Sequence, residues 1–337
     1  MNYDGIIIGG GIAGLQAAVQ LGRYGHKVLV IDAGYGRSTL CARYHNVLGF
    51  PEGVSGEELR KTGRKQAQAL GVEFADGLAI RAAGTLGTGF RVGVRRLAKQ
   101  ESGGNHPLAA HEPGGRGLST EAEAEPDTEY TGSTLLLATG VMDRFPEVPG
   151  LRECLGHTIY VCPDCDSHEV AGRRTVVLGA GDPGARMALT LRPRTDKLTL
   201  LNHERKPVSP AVQEELDRAG IQTIPGPIAA IHAEEGGRLV RVQLEDGGTV
   251  EAERGFLAFG GNAVHSDLAV QLGAERMENR HVMADPRSKE TNIPGVYAAG
   301  DIGVHAEQLT VAMGEGAMAA IWMNKAIEAK KRKSQQG

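Results

Sequence analysis

At 337 residues, with 41% hydrophobic and 23% charged side chains, the chain is long enough for two domains and is composed like an ordinary globular protein. A formal net charge of −4 gives no long-range attraction to nucleic acid or anionic lipid, and no apolar run approaches the ~20 residues that span a bilayer, so neither nucleic acid nor membrane is expected as a partner. The four cysteines, Cys41, Cys154, Cys162 and Cys165, are too few for a secreted disulfide scaffold; with no signal peptide ahead of the first strand, they point to a cytoplasmic protein carrying one redox or metal motif.

The chain opens on an apolar strand ending in Ile6-Ile7-Ile8, then Gly9-Gly10-Gly11-Ile12-Ala13-Gly14, a helix over Leu15–Tyr24 and a strand over Lys27–Ile31. Gly9, Gly11 and Gly14 hold the three places of GxGxxG. The first permits the sharp turn, the second lets the backbone approach a pyrophosphate, and the third lets helix and strand pack closely. Asp32, just past the second strand, is placed to accept hydrogen bonds from ribose hydroxyls. Further on, two antiparallel strands, Phe90–Val94 and Glu129–Leu137, are interrupted by Ala98–Asp127. That stretch has too little apolar surface to repay its ordering entropy and reads as a mobile surface loop. Its His106 and His111 could bind a metal, but none is expected. The strand Leu135-Leu136-Leu137 runs into Ala138-Thr139-Gly140.

Cys162-Pro163-Asp164-Cys165-Asp166 follows. Two thiols at this spacing beside a helix start can form a strained small-loop disulfide with a nucleophilic thiolate. Zinc is the rival reading; it needs four ligands and would have to draw on His157 and His168. A pair of inert buried cysteines is the third. Cys41 and Cys154 are isolated and read as unremarkable. The glycine device then repeats: strand Thr175–Leu178, turn Gly179-Ala180-Gly181-Asp182-Pro183-Gly184, helix Ala185–Leu191, strand Lys197–Leu201, and later Phe256-Leu257-Ala258-Phe259-Gly260-Gly261. The tail Val296–Asp301 and a helix from about Leu309 to Ala329 return to the first unit, ahead of a basic end, Lys330 to Lys333. Asp301, with Gly300, supplies a far contact that suits a long flavin dinucleotide, so FAD is preferred to NAD at the first turn. The expected fold is therefore α/β, with two Rossmann-like, three-layer ββα nucleotide-binding domains, the second inserted into the first. The boundaries are 1–140 and 260–329 for the FAD domain, 141–259 for the NAD(P)-binding-like domain with the cysteine pair, and 330–337 for a basic tail.

With GGGIAG, LLLATG, CPDCD, GAGDPG and AAGDI in that order, the chain resembles the low-molecular-weight thioredoxin reductase family over nearly its whole length. The resemblance implies an FAD-dependent disulfide oxidoreductase in which Cys165 sits beside the flavin, Cys162 attacks the substrate disulfide and Asp166 is the active-site acid. It implies FAD contacts that include Asn46, Gly140, Gln308 and Leu309, and a pyridine-nucleotide site at Gly179, Gly181, Gly184, Asn202 and His203. It also implies a homodimer, rotation about hinges near Gly140–Met142 and Gly260–Asn262, and a thioredoxin-like protein or small disulfide as substrate. The chain departs from the family in three places. The segment after Asp32, with Arg37-Ser38 and then His45-Asn46, resembles relatives that reduce small disulfides or other partners. His168 after the cysteine pair is an alternative proton donor. Asn202 stands as far after Gly179 as Asp32 does after Gly9, and His203 and Glu204 follow where the family has two arginines for the 2′-phosphate. Removing two cations and adding a carboxylate favours NADH modestly over NADPH, unless Arg205 and Lys206 compensate, and leaves ferredoxin open as donor. A flavin reductase of the ferredoxin–NAD(P) type and a flavin-bound redox sensor are the competing functions; the cysteine pair argues against the former. Trp322 reads as core packing.

Overall fold

The structure is a computed structural model that describes residues 2–97, 125–304 and 306–336. His106, His111 and the segment expected to be a loop, apart from 125–127, lie outside the described residues. The chain forms two compact units: Met1–Thr39, Glu57–Met142 and Val264–Gly337 in the first, Leu40–Gly56 and Asp143–Ala263 in the second.

In the first unit the strands Glu73–Asp76, Val28–Asp32, Asn2–Ile8 and Thr128–Leu137 lie side by side in parallel. The long strand Thr128–Leu137 belongs to two layers. Its first half pairs antiparallel with Gly89–Arg95, which in turn pairs with Leu78–Thr85; its second half lies parallel between Asn2–Ile8 and Val296–Ala298. Ile6, Ile7, Leu135, Leu136 and Leu137 are completely buried because both sheet faces are covered, which is why these strands read as continuous apolar runs rather than alternating ones. One face packs Ile7 and Leu136 against helices Ile12–Arg23 and Leu309–Gln336 through Ala17, Leu21, Ala319 and Met323. The other packs Ile6, Ile8 and Leu135 against Phe90, Val92 and Val94 of the antiparallel layer. Where the antiparallel pair is interrupted, Asp127 closes it: its N–H donates to the Val94 carbonyl (3.0 Å) and its carboxylate accepts from the Arg96 N–H (2.7 Å).

The last helix runs to Gln336, past the expected end near Ala329, so the basic residues form its final turns, where cations suit the helix dipole. Trp322 is half-buried against this core with the Lys325 ammonium over its ring, 3.8 Å from the centroid.

The second unit repeats the plan. Gln222–Pro225, Leu198–Asn202, Thr175–Gly179, Arg254–Ala258 and Ile159–Tyr160 form a parallel sheet in that order. Val177, Leu200 and Phe256 pack on helices Gly181–Leu191 and Pro210–Ala219, while Leu178, Leu201 and Leu257 pack on the antiparallel strands Ile228–Glu234 and Arg238–Leu244. Both units are three-layer ββα sandwiches, as the repeated strand, glycine turn and helix led one to expect. Among the described residues no helix is long and apolar enough to cross a membrane.

Candidate active site

In the first unit the glycine turn stands at the carboxyl end of strand Asn2–Ile8, flanked by the ends of Val28–Asp32 and Thr128–Leu137. This is where the strand order reverses and where doubly wound sheets bind ligands. Gly11 caps helix Ile12–Arg23 with no side-chain bond, and a methyl group built on it would meet nothing within 4 Å. A methyl on Gly14 would lie 1.9 Å from the Gly9 carbonyl oxygen, so the close helix–strand contact requires that glycine. Asp32 is only 9% exposed; its carboxylate accepts from the Gly10 N–H (3.2 Å) and from Arg60 Nη2 (2.9 Å). Gly140 follows the neighbouring strand, again with open space around a methyl group built on it. Gly300 and Asp301 follow the next. The Gly300 N–H donates to Glu315 (3.0 Å), and Asp301 Oδ2 lies 3.4 Å from Arg37 Nη1, which also bonds Glu307. Gln308 and Leu309 sit at the start of the last helix, where the Gln308 carbonyl accepts from the Ala312 N–H. A half-buried helix N-terminus with open space over Gly11, an acid at the ribose position and a distal acid fit FAD. Sequence reasoning missed Arg60, which holds Asp32, because a single arginine on an amphipathic helix carries no motif.

In the second unit Cys162 caps the short helix Pro163–Asp166, with Pro163 at the first helical position, where its missing N–H costs nothing. Cys162 and Cys165 are both free thiols. Cys165 and Cys162 share a side-chain hydrogen bond; that bond, then burial, pushes the Cys165 thiol well above the ordinary range, while a hydrogen bond from Asn46 acts the other way. Asp166 is pushed up to about 7, first by burial and then by Glu169. Glu169 is the hub of the surrounding charges: His45 Nδ1 lies 3.7 Å away, His168 Nε2 3.6 Å and Arg254 Nη2 3.5 Å. The ligand atoms of His45, His168 and Glu169 lie within 4.8 Å of one another and could hold an ion, although the Arg254 cation competes for the same carboxylate. Asn46, which the resemblance puts among the flavin contacts, thus bonds the cysteine pair in this unit. Burial pushes the Cys41 thiol up to about 12, with Asp166 adding to it, and Cys154 is completely buried with a raised thiol, so both are poor nucleophiles.

The second glycine turn is held differently. The Gly181 N–H donates to Asn202 Oδ1 (3.1 Å), and Asn202 Nδ2 donates to the Lys206 carbonyl (2.6 Å). Gly181 is buried with φ +53°, and a methyl group on it would stand 3.1 Å from the Pro207 carbonyl oxygen and 3.2 Å from Lys206 Cβ. Asp182 accepts from the Ser209 N–H (2.7 Å) and hydroxyl (2.8 Å). His203 Nδ1 accepts from the Ile228 N–H (2.8 Å), and burial lowers its pKa, which keeps it neutral. Glu204 is bonded by both Nη groups of Arg144, one at 3.2 Å, and paired with Lys206 Nζ at 2.7 Å. Arg144, ahead of its other contacts, holds the Glu204 carboxyl down to about 2. Its charge is therefore compensated by two cations: Lys206, one of the two residues the sequence offered for this, and Arg144, which it did not. Arg144 also donates from Nε to the Gly260 carbonyl and from Nη2 to the Phe259 carbonyl, both at 2.8 Å.

Comparison with known proteins agrees with this architecture. The chain belongs to the pyridine nucleotide-disulphide oxidoreductase family, which matches residues 3–316. It is 28% identical to the thioredoxin reductase of Treponema pallidum over 333 residues, 95% of each chain. Among solved structures, HlmI superposes with a TM-score of 0.78 at 26% identity, over 99% of this chain and 95% of that one. The thioredoxin reductase of Streptococcus pyogenes gives a TM-score of 0.79 over 97% and 99%, which at 21% identity speaks for the fold alone. The protein is thus a thioredoxin-reductase-like disulfide oxidoreductase, of a family whose members use FAD and a pyridine nucleotide.

Proposed function

We propose that this protein moves an electron pair between FAD and a thioredoxin-like protein or small disulfide through Cys162 and Cys165. The observation that supports the reading is the Cys162–Cys165 pair at the start of a short helix, hydrogen-bonded to one another beside an acid raised to about 7. In the proposed reactive dithiol the hydrogen bond runs from the Cys165 S–H to a Cys162 thiolate, which keeps the second proton on Cys165. Cys162 attacks one sulfur of the substrate disulfide; the S–S bond breaks, a mixed disulfide forms, and the departing thiolate takes a proton from Asp166, with His168 as an alternative donor. Cys165 then passes its proton to the Asp166 carboxylate left by the first step and attacks Cys162 sulfur, and the second departing sulfur takes that proton from Asp166. The Cys162–Cys165 disulfide closes and the second substrate thiolate leaves, so two electrons and two protons have passed to the substrate. FAD would be held by Gly9, Gly11, Gly14, Asp32, Gly140, Gly300, Asp301, Gln308 and Leu309 and would supply the two-electron chemistry that returns the disulfide to the dithiol.

For the reducing equivalents two donors are open: a pyridine nucleotide, where the missing arginine pair at His203 and Glu204 favours NADH over NADPH, or a reduced ferredoxin, and the choice turns on whether the second glycine turn admits a nucleotide. A homodimer in the cytoplasm completes the reading, by family analogy. The test is mass spectrometry of stalled exchange. Cys165→Ser should accumulate a mixed disulfide at residue 162 with a disulfide dye or oxidised thioredoxin, and Cys162→Ser should accumulate none. Equal trapping in the two variants overturns the order of attack, and trapping in neither overturns the function.

A further inference from the structure

Taking the thiol–disulfide chemistry above as given, we infer that the dinucleotide crevice of the second unit is closed by the chain itself, so that neither NADH nor NADPH binds there. In this fold a dinucleotide needs three things: bare backbone over the second glycine of the turn, a free polar side chain at the end of the following strand, and open space across the carboxyl end of the central strand. Each is filled from within the second unit.

The bare backbone is lost first. Space over Gly181 is taken by Lys206 and Pro207, whose main chain presents carbonyl oxygens where a pyrophosphate would need hydrogen-bond donors. Carbonyls repel a phosphate, so the contact is wrong in sign as well as in size. Asp182, in the first turn of the helix, accepts from the Ser209 N–H and hydroxyl and so fastens the chain just past the covering loop. The side chain at the strand end is spent too. The Asn202 oxygen accepts from the Gly181 N–H, as Asp32 does from the Gly10 N–H in the first unit; the difference is its nitrogen, which donates to the Lys206 carbonyl and so ties the covering loop to the turn it covers.

The open space is bridged by Arg144. The strands Leu198–Asn202, Thr175–Gly179 and Arg254–Ala258 are neighbours in that order. Arg144 bonds Glu204 beyond the first of them and the carbonyls of Phe259 and Gly260 beyond the third. Its guanidinium therefore reaches across the end of the middle strand, the one that carries the glycine turn. These contacts would all have to open for a dinucleotide to enter. Each lowers the apparent affinity by roughly two- to tenfold, so together they put binding out of the physiological range.

The experiment uses the FAD-loaded protein under anaerobic conditions. NADH and NADPH are titrated separately by calorimetry, and hydrogen exchange is followed over residues 179–186 and 202–209 with and without each nucleotide. The expected result is no saturable heat up to about 1 mM and unchanged exchange in both segments. Micromolar binding of either nucleotide, with altered exchange at the Gly181 amide, overturns the closure. The thiol chemistry is judged separately: the protein is reduced photochemically, with no nucleotide present, and offered a disulfide dye. Reduction of the dye supports the disulfide oxidoreductase whatever calorimetry finds, and failure to reduce it counts against that function while the binding result still decides the closure.

Discussion

The turns Gly9–Gly14 and Gly179–Gly184 share their spacing, a preceding buried strand and a following helix, yet a methyl group at Gly11 would enter open space and one at Gly181 would strike the loop Lys206–Pro207. The residue at the end of the next strand differs in parallel. Both accept from an N–H of the turn, but Asp32 is otherwise held by Arg60, whereas Asn202 is bonded to the loop above the turn. A glycine motif thus reports the backbone path of strand, turn and helix. Whether that path faces a ligand depends on what the following loop does, and the loop obeys no motif.

Substitutions should separate the two turns, and the largest effect is expected at the first. Gly11→Ala leaves the chain's own contacts untouched but puts a methyl group where the pyrophosphate backbone must approach; flavin affinity should fall ~100-fold or more, equivalent to roughly 3 kcal/mol, with an unchanged melting curve for the apoprotein. Fluorescence titration of FAD checks this, and unaltered affinity would mean the cleft is placed elsewhere. Asp166→Asn tests whether the second unit works through its thiols. Exchange with a disulfide dye should slow by ~100-fold below pH 7, and the inflection near 7 should vanish from the rate profile. Stability should move as well. The carboxyl is raised in the folded state, so its contribution is fully present below about pH 4, where an unfolded aspartate titrates, and is lost as pH rises through about 7. Asp166→Asn should therefore melt above the parent at pH 8, with the gap closing toward pH 4.

Smaller effects probe the clasp. Glu204→Arg places a third cation against Arg144 and Lys206. It should destabilise the second unit by about 2–3 kcal/mol, with no gain in NADPH binding; denaturant unfolding measures the first and calorimetry the second. Gly181→Ala imposes a side chain at φ +53° against Pro207 and Lys206 and should cost about 1–2 kcal/mol while flavin retention stays at the parent level. Loss of flavin instead would contradict the independence of the two turns. Lys206→Ala removes a half-exposed partner of Glu204 and should shift stability by no more than about 0.5 kcal/mol.

The elements legible from sequence were those whose cause is local. The two strand–turn–helix units follow from continuous apolar runs broken by glycines at fixed spacing, and the cysteine pair is recognised by its own four residues. The antiparallel pairing of Phe90–Val94 with the strand ending at Leu137 was also readable, across the long segment between them. What escaped depends on separations with no periodicity. Nothing near Arg144 announces that it will bond Glu204, sixty positions on. Likewise, nothing in Leu40–Gly56 announces that it will bring His45 to Glu169 and Asn46 to Cys165. For Glu204 the neighbouring Lys206 could be named as a counter-ion from sequence, but the distant Arg144 could not.

The double membership of strand Thr128–Leu137 also sets where this protein can grow. Its ten residues put the Asp127 clasp and the last leucine at opposite ends of a strand roughly 30 Å long. Leu137 leads toward the cleft and Asp127 marks the point where additional chain enters and leaves. Because that doorway is pinned shut by its own two hydrogen bonds, doubling the length of whatever passes through it adds only about 0.6 kcal/mol of closure entropy. Lineages, or engineers wishing to splice in a reporter, can vary the traffic through that doorway while the cleft at the far end keeps its shape.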